Sequence, residues 1–256
     1  MIEKLTRKQI EDLKKSGQIL STALQIVSKS IKPGMPTMAL DEIAETELRI
    51  RGGKPSFKNY SKGKDKPYPS SLCVSINNEV VHGIPVGAKV IQSGDLVGLD
   101  LGCSYNGIYT DMAVTVGVGK ISAREQQLIE VTKKALQIGI TKVRAGKRTG
   151  DIGHAIQKYV ESHGFSVVKD LVGHGVGLAV HQDPTVPNFG KANTGEVLIE
   201  NTAIAIEPMV NVGRPEIIQS TDGWTVVTRD GSKAAHFEHT ILITKKEPII
   251  ITKTRT

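Results

Sequence analysis

Residues 95–116 read DLVGLDLGCSYNGIYTDMAVTV and carry two aspartates, Asp100 and Asp111, in apolar, strand-like surroundings. A buried carboxylate without a partner is costly. Asn106–Gly107 is the strongest short-range signal for a two-residue hairpin turn. A ladder closed by that turn sets Asp111 opposite Gly102, and side-chain alternation then turns Asp100 and Asp111 to one face. They become diagonal neighbours roughly 7–8 Å apart at the backbone. Two anions so close in an apolar sheet repel unless a cation or a proton lies between them. A turn cap or a lysine partner accounts for one such aspartate; a metal ion accounts for two.

Further ligands must then come from other strands. His174 stands between two glycines in LVGHGVGLAVHQDPTVP (171–187), and His181 follows the apolar LAV of the same stretch. Glycines there permit close backbone approach. Glu207 ends an apolar run in AIAIEPMV (203–210), and Glu238 enters another in HFEHTILIT (236–244). Asp100, Asp111, His174, Glu207 and Glu238 hold four carboxylates. That is too much negative charge for one divalent ion and suits two ions with bridging carboxylates. Oxygen-rich sites with one imidazole suit manganese, iron(II), cobalt or zinc.

The elements that must position these groups are legible in outline. Apolar spacing over 5–31 predicts a helix stopped by KPGMP. Thr37 is the expected N-cap of a second helix, running to about 51 and ended by Gly52–Gly53. Residues 54–70, rich in Pro, Lys and Ser, read as a loop, and 71–81 and 95–118 as strands. Ser122 with Glu125 forms a capping box for a third helix, to about 143. A fourth runs from about 149 to 163, with strand and loop beyond. Gly34, Thr37 and Gly52 recur in order as Gly146, Thr149 and Gly164. The recurrence predicts two related halves, each of helices followed by strands, in an α+β fold with helices packed on a largely antiparallel sheet.

The bulk properties narrow the setting. The 256 residues fit one large domain or two small ones, and 39% hydrophobic content supports a sizeable core. The net charge of +7 comes from scattered basic residues. A polyanionic partner is one reading of it and a lysine-rich surface the plainer one. Two cysteines, neither in a CxxC, fit a reducing compartment. No apolar run reaches the roughly 18 residues of a membrane helix, and MIEKLTRKQIEDLKK lacks a signal-peptide core. A cytoplasmic location is expected.

From about residue 5 to 250 the chain resembles the type I methionine aminopeptidases. The resemblance rests on SINNEVVHGIP, DLVGLDLGCSYNGIYTDMAVTV, VGHGVGLAVHQDP, AIEPMV and DGWTVVTRDGSKAAHFEHTILIT, and on the ligand order Asp, Asp, His, Glu, Glu. It implies the pita-bread fold, two pseudo-symmetric halves with the metal site between them, as a single catalytic metallopeptidase domain over 1–256. It implies removal of the N-terminal methionine from nascent proteins and peptides by hydrolysis on two divalent ions, with a small second residue preferred. In that family's pattern Asp100 would bind one metal through both oxygens, Asp111 and Glu238 would bridge the two metals, and His174 and Glu207 would complete the ligand set of the second metal. Glu207 would also serve as general base. His82 and His181 would contact substrate, and Tyr68, Cys73 and Trp224 would line the methionine pocket. Two departures touch that pocket: the charged KGKDK in the 54–70 loop, and Val180, where the family often carries an aromatic residue. The resemblance further implies a nascent-chain partner, a possible transient ribosome association and a monomer. The nearest rival is a proline-specific aminopeptidase of the same fold. Those usually carry a large N-terminal domain, and here the site-bearing domain is expected to start almost at residue 1. A non-catalytic relative that binds a partner such as ribosomal RNA is the rival from another class, though such relatives have lost ligands and all five are present here.

Overall fold

The computed structural model describes residues 2–61 and 66–254. Among the described residues there are four α-helices: α1 (Arg7–Ser30), α2 (Thr37–Ile50), α3 (Ala123–Ile140) and α4 (Thr149–Ser162). Thr6 and Gln9 close a capping box on α1, and Ser122 and Glu125 close the expected one on α3. Gly52 (φ 82°) and Gly164 (φ 70°) take the left-handed conformation just past α2 and α4, where a side chain would be strained.

Three details differ from the sequence reading. Thr37 is the first residue of α2, and Pro36 is its cap. The Thr37 hydroxyl is drawn away from the helix by Val86, donating to its carbonyl and accepting from its N–H. The segment 71–81 is two strands, Leu72–Ile76 and Glu79–Val81, because Asn77 turns the chain at φ 59°. The 54–70 loop begins with a short strand, Lys54–Pro55, paired with Cys103 and Ser104. Most of the charged KGKDK lies outside the described residues.

The strands Leu96–Tyr105 and Ile108–Gly117 form the expected hairpin. Asn106 (φ 50°) and Gly107 (φ 78°) both take the positive φ that a type I′ turn requires, and Asp111 faces Gly102. Leu72–Ile76 pairs on the outer side, with Cys73 opposite Asp100. In the second half, Ala203–Ile206 lies between Gly173–Val176 and His239–Leu242.

The two sheets meet edge to edge. Ala113 and Glu238 exchange backbone hydrogen bonds, 2.9 and 3.4 Å. On one side of that pair Thr115 Oγ1 accepts from His236 N–H and donates to His236 C=O. On the other, Thr240 Oγ1 does the same for Asp111. A pseudo-twofold axis between Ala113 and Glu238 therefore exchanges Thr115 with Thr240 and Asp111 with His236.

The helix entries repeat as well. Gly34 N–H donates to Ile91 C=O and Gly146 N–H to Leu198 C=O, while Thr37 N–H donates to Lys89 C=O and Thr149 N–H to Glu196 C=O. Counting onward from Ile91 and Leu198, Asp100 and Glu207 occupy equivalent places. The repeat read from the sequence is thus present in the backbone pairing.

Each helix pair covers its own sheet. Leu20, Leu24, Leu40 and Leu48 of α1 and α2 pack on Leu99 and Leu101. Leu128, Leu136, Ile152 and Ile156 of α3 and α4 pack on Ile204, Ile206 and Ile241. Burying each such side chain contributes about 1.5–3 kcal/mol, which makes both sheets stiff platforms.

Candidate metal centre

Asp100 and Asp111 project from the hairpin strands, and Glu207 and Glu238 lie just past Ala203–Ile206 and just before His239–Leu242, where the two halves join. Asp100, Asp111 and Glu238 are buried and Glu207 nearly so. Ligating atoms of Asp111, His174 and Glu238 all lie within 4.8 Å of one another. Glu207 adjoins them, with its Oε1 3.5 Å from His174 Nε2. Asp111 Oδ1 accepts one bond from Met112 N–H at 3.0 Å. Asp100 Oδ1 and Glu238 Oε1 are buried with no hydrogen-bond partner among the described residues.

The backbone around His174 needs its glycines. A Cβ at Gly173 would strike the Ala205 carbonyl, and one at Gly175 the Asp183 carbonyl. His174 Nδ1 lies 2.8 Å from Gly175 C=O, which can only accept. The proton therefore sits on Nδ1, and Nε2 offers its lone pair toward the carboxylates.

Burial lifts the carboxyls out of their usual range. It pushes Asp100 up to about 6 and Glu207 up to about 8. Asp111 and Glu238 rise well above the ordinary range, first through burial and then through repulsion by the neighbouring carboxylates. Burial also holds His174 down at about 3, so its ring is neutral. Four such carboxyls cannot all ionise at neutral pH without added positive charge. Two orphaned oxygens, a bare imidazole nitrogen and an oxygen-rich donor set fit divalent cations.

All ten residues nominated from the sequence line one cavity of about 1020 Å³. Tyr68 is buried, its hydroxyl within 3.2 Å of Leu72 C=O and 3.0 Å of Gly83 C=O. Trp224 meets Tyr68 edge-on, with ring centroids 5.2 Å apart, and its Nε1–H donates to Lys66 C=O. Cys73 is a free, buried thiol beside them. Val180 packs with Phe57, Tyr68 and Cys73, so an aliphatic group completes this wall. His82 sits at φ 58°, a strained position for a side chain, and faces Trp224 with ring centroids 6.4 Å apart. Burial and the nearby histidines His236 and His181 push its pKa down to about 4. The ring of His181 lies 4.4 Å from that of His174, and its Nδ1 is 2.7 Å from Tyr60 Oη.

Sequence reasoning passed over Phe57, Tyr60, Thr240 and His236. The first two sit in a loop whose composition gave no periodicity to read. Thr240 acts across the sheet joint, for which there is no local signal. His236 had one: two residues before Glu238 on a strand, it belongs to the same face.

The model of metallopeptidase family M24 matches residues 11–245. The chain belongs to family M24. This M24 chain is 47% identical over 257 residues to a methionine aminopeptidase of Aquifex aeolicus, covering 98% of this chain and 99% of that one. The crystal structure of the Thermotoga maritima methionine aminopeptidase superposes with a TM-score of 0.95 at 44% identity, covering 99% of this chain and all of that one. A prolidase from Pyrococcus furiosus, 22% identical, superposes at 0.78 over 99% of this chain and 66% of its own, and shares the fold alone. The M24 chain thus has the pita-bread fold and is a metal-dependent hydrolase. Among its described residues no helix is long and apolar enough to cross a membrane.

Proposed function

We propose that this M24 chain is a methionyl aminopeptidase that removes the N-terminal methionine of peptides and nascent proteins, preferring a small second residue. The observation that carries the reading is the joining, in one cavity, of a carboxylate-rich floor with a compact wall of Tyr68, Cys73 and Trp224. Asp100, Asp111, His174, Glu207 and Glu238 would hold two divalent cations, chosen from manganese, iron(II), cobalt and zinc, with Asp111 and Glu238 the carboxylates that would be shared. Bound there, they would supply Lewis-acid polarisation of the scissile carbonyl and of a water nucleophile.

The rest is done by the chain's own groups. Glu207 takes the proton from the attacking water and passes it to the leaving amine. His82, neutral at working pH, and His181, beside Tyr60, contact the substrate and steady the developing oxyanion. Cys73 is a small, soft neighbour for a thioether, and the two aromatic rings close the sides of the pocket. The free amine of the substrate lies at the carboxylate floor, which restricts cleavage to the first residue.

The whole chain, 1–256, acts as one catalytic unit, monomeric and cytoplasmic. Its positive balance supports a salt-sensitive encounter with the ribosome, which co-sedimentation at low and high salt would read.

The test uses metal-stripped protein with Met-Ala-Ser and Xaa-Pro peptides, adding manganese, cobalt, iron(II) or zinc in turn. Metal-dependent release of methionine alone supports the reading and ranks the metals. Cleavage before proline moves the chain to the proline-specific members of the fold. No cleavage of either peptide by metal-loaded protein leaves a binding protein that has kept its site.

A further inference from the structure

The pseudo-twofold axis pairs Asp100 with Glu207 and Asp111 with His236. The first three of those positions are proposed metal ligands; the fourth has been given no role. His236 is 4% exposed, and its Nε2 has no hydrogen-bond partner among the described residues. That atom lies 3.6 Å from Glu207 Oε2, while His174 Nε2 lies 3.5 Å from Glu207 Oε1. The Glu207 carboxylate is therefore bracketed, one imidazole on each oxygen.

The two imidazoles are not equivalent. His174 carries its proton on Nδ1, against Gly175 C=O, so the nitrogen it turns to Glu207 is a lone pair. His236 is also absent from the tight cluster of Asp111, His174 and Glu238 atoms. Its backbone is pinned on both sides by the Thr115 hydroxyl, so the ring cannot drift along the strand.

We infer that His236 is a positioning residue for the hydrolysis proposed above: its Nε2–H donates to Glu207 Oε2, fixes the carboxylate plane, and leaves Oε1 turned to the His174 side for metal and proton work. A shift of about half an ångström brings the pair into ordinary bonding range. A metal-ligating carboxylate held by a second group in this way loses affinity when that group is removed, typically 10–100-fold. The inference rests on the proposed ligand set, but not on the identity of the peptide cleaved.

The experiment titrates manganese(II) calorimetrically into metal-stripped wild type, His236→Ala, His236→Gln, Glu207→Gln and the Ala/Gln double variant. It also records the metal-free thermal midpoints, and kcat and KM on Met-Ala-Ser. His236→Ala should weaken at least one manganese site by about 10–100-fold and lower kcat more than KM. His236→Gln keeps an N–H at similar reach and should restore both to within a few-fold of wild type. In the Glu207→Gln background, His236→Ala should cost no further affinity, because it acts through Glu207. Unchanged manganese binding in His236→Ala overturns the inference, and so does His236→Gln failing as badly as His236→Ala. If His236→Ala does not fold, His236→Phe, which fills the same space without an N–H, takes its place in every comparison, and unchanged manganese binding in it overturns the inference. Wild type that binds manganese but spares Met-Ala-Ser sinks the methionine reading alone, since the metal titrations stand without it.

Discussion

The two halves of the molecule share a frame and differ in what they hang on it. At the frame positions the halves agree: Thr115 and Thr240 pin their opposite strands with the same pair of hydrogen bonds. At the working positions they diverge. The first half presents Asp100 and Asp111, two short carboxylates that repel; the second presents Glu207 and His236, an acceptor and a donor that can satisfy each other. On the axis itself, Ala113 faces Glu238. A symmetric set of four carboxylates would hold cations without distinguishing two ends of a reaction. Replacing one by an imidazole gives one half a carboxylate whose proton can be handled separately. At these paired positions the side chains differ, while the backbone pairing that aims them is kept.

The sharpest way to break the comparison is to remove charge from the first half only. Asp111→Asn should lower turnover at least about a thousandfold, since the proposed bridging position would stabilise the transition state by several kcal/mol. The fold should survive, because the substitution relieves repulsion by Asp100 and Glu207. Near-wild-type turnover in a peptide assay, with circular dichroism unchanged, would remove Asp111 from the ligand set.

Metal removal tests both halves together through pH. Glu207, lifted by burial to about 8 from an ordinary 4.5, holds a proton in the metal-free native state that the unfolded chain releases. That contribution is complete below about 4.5 and is lost as pH rises through 8. His174 and His82, pushed down to about 3 and 4 from 6.5, act in the opposite sense, but only below 6.5. Between pH 6.5 and 8 the carboxyls therefore dominate, and metal-free protein should lose about 2 kcal/mol per such proton. Thermal midpoints of stripped protein should fall across this window while those of metal-loaded protein stay level. A flat profile for stripped protein would mean the carboxyls are already ionised and differently compensated.

How much of this was legible beforehand depended on whether the signal was local. The Asp100–Asp111 hairpin could be read because Asn106–Gly107 fixes register and alternation does the rest. The repeat could be read because Gly34, Gly52, Gly146 and Gly164 each mark a left-handed step at a helix boundary. The Thr37 cap was misread because its hydroxyl answers Val86, a partner in another segment. The sheet joint at Ala113 and Glu238 was invisible for the same reason, and with it the pairing of Asp111 with His236. Strand alternation put His236 on the face of Glu238, yet nothing nearby says that its partner is Glu207.

A smaller effect sharpens the division between binding and chemistry. His181→Ala should lower kcat by about a hundredfold with KM near wild type, if the ring supports the oxyanion. Steady-state kinetics on Met-Ala-Ser separates the two constants. A change in KM alone would make His181 a substrate contact only.

The mildest test asks whether the frame is as symmetric in energy as in geometry. Thr115→Val and Thr240→Val each remove one hydroxyl that satisfies a buried N–H and a buried C=O on the opposite strand. Each should cost about 1–3 kcal/mol in denaturant unfolding of the metal-free protein, and the two costs should be similar. Their consequences for the site should differ. Thr240 holds the backbone of Asp111, a proposed bridging ligand, so its loss should weaken manganese binding. Thr115 holds the backbone of His236, which acts through Glu207, so its loss should reach the metal only through that carboxylate and weaken binding less. Equal losses of affinity would mean that both positions serve the metal directly, and would place His236 in the proposed ligand set beside its mate Asp111.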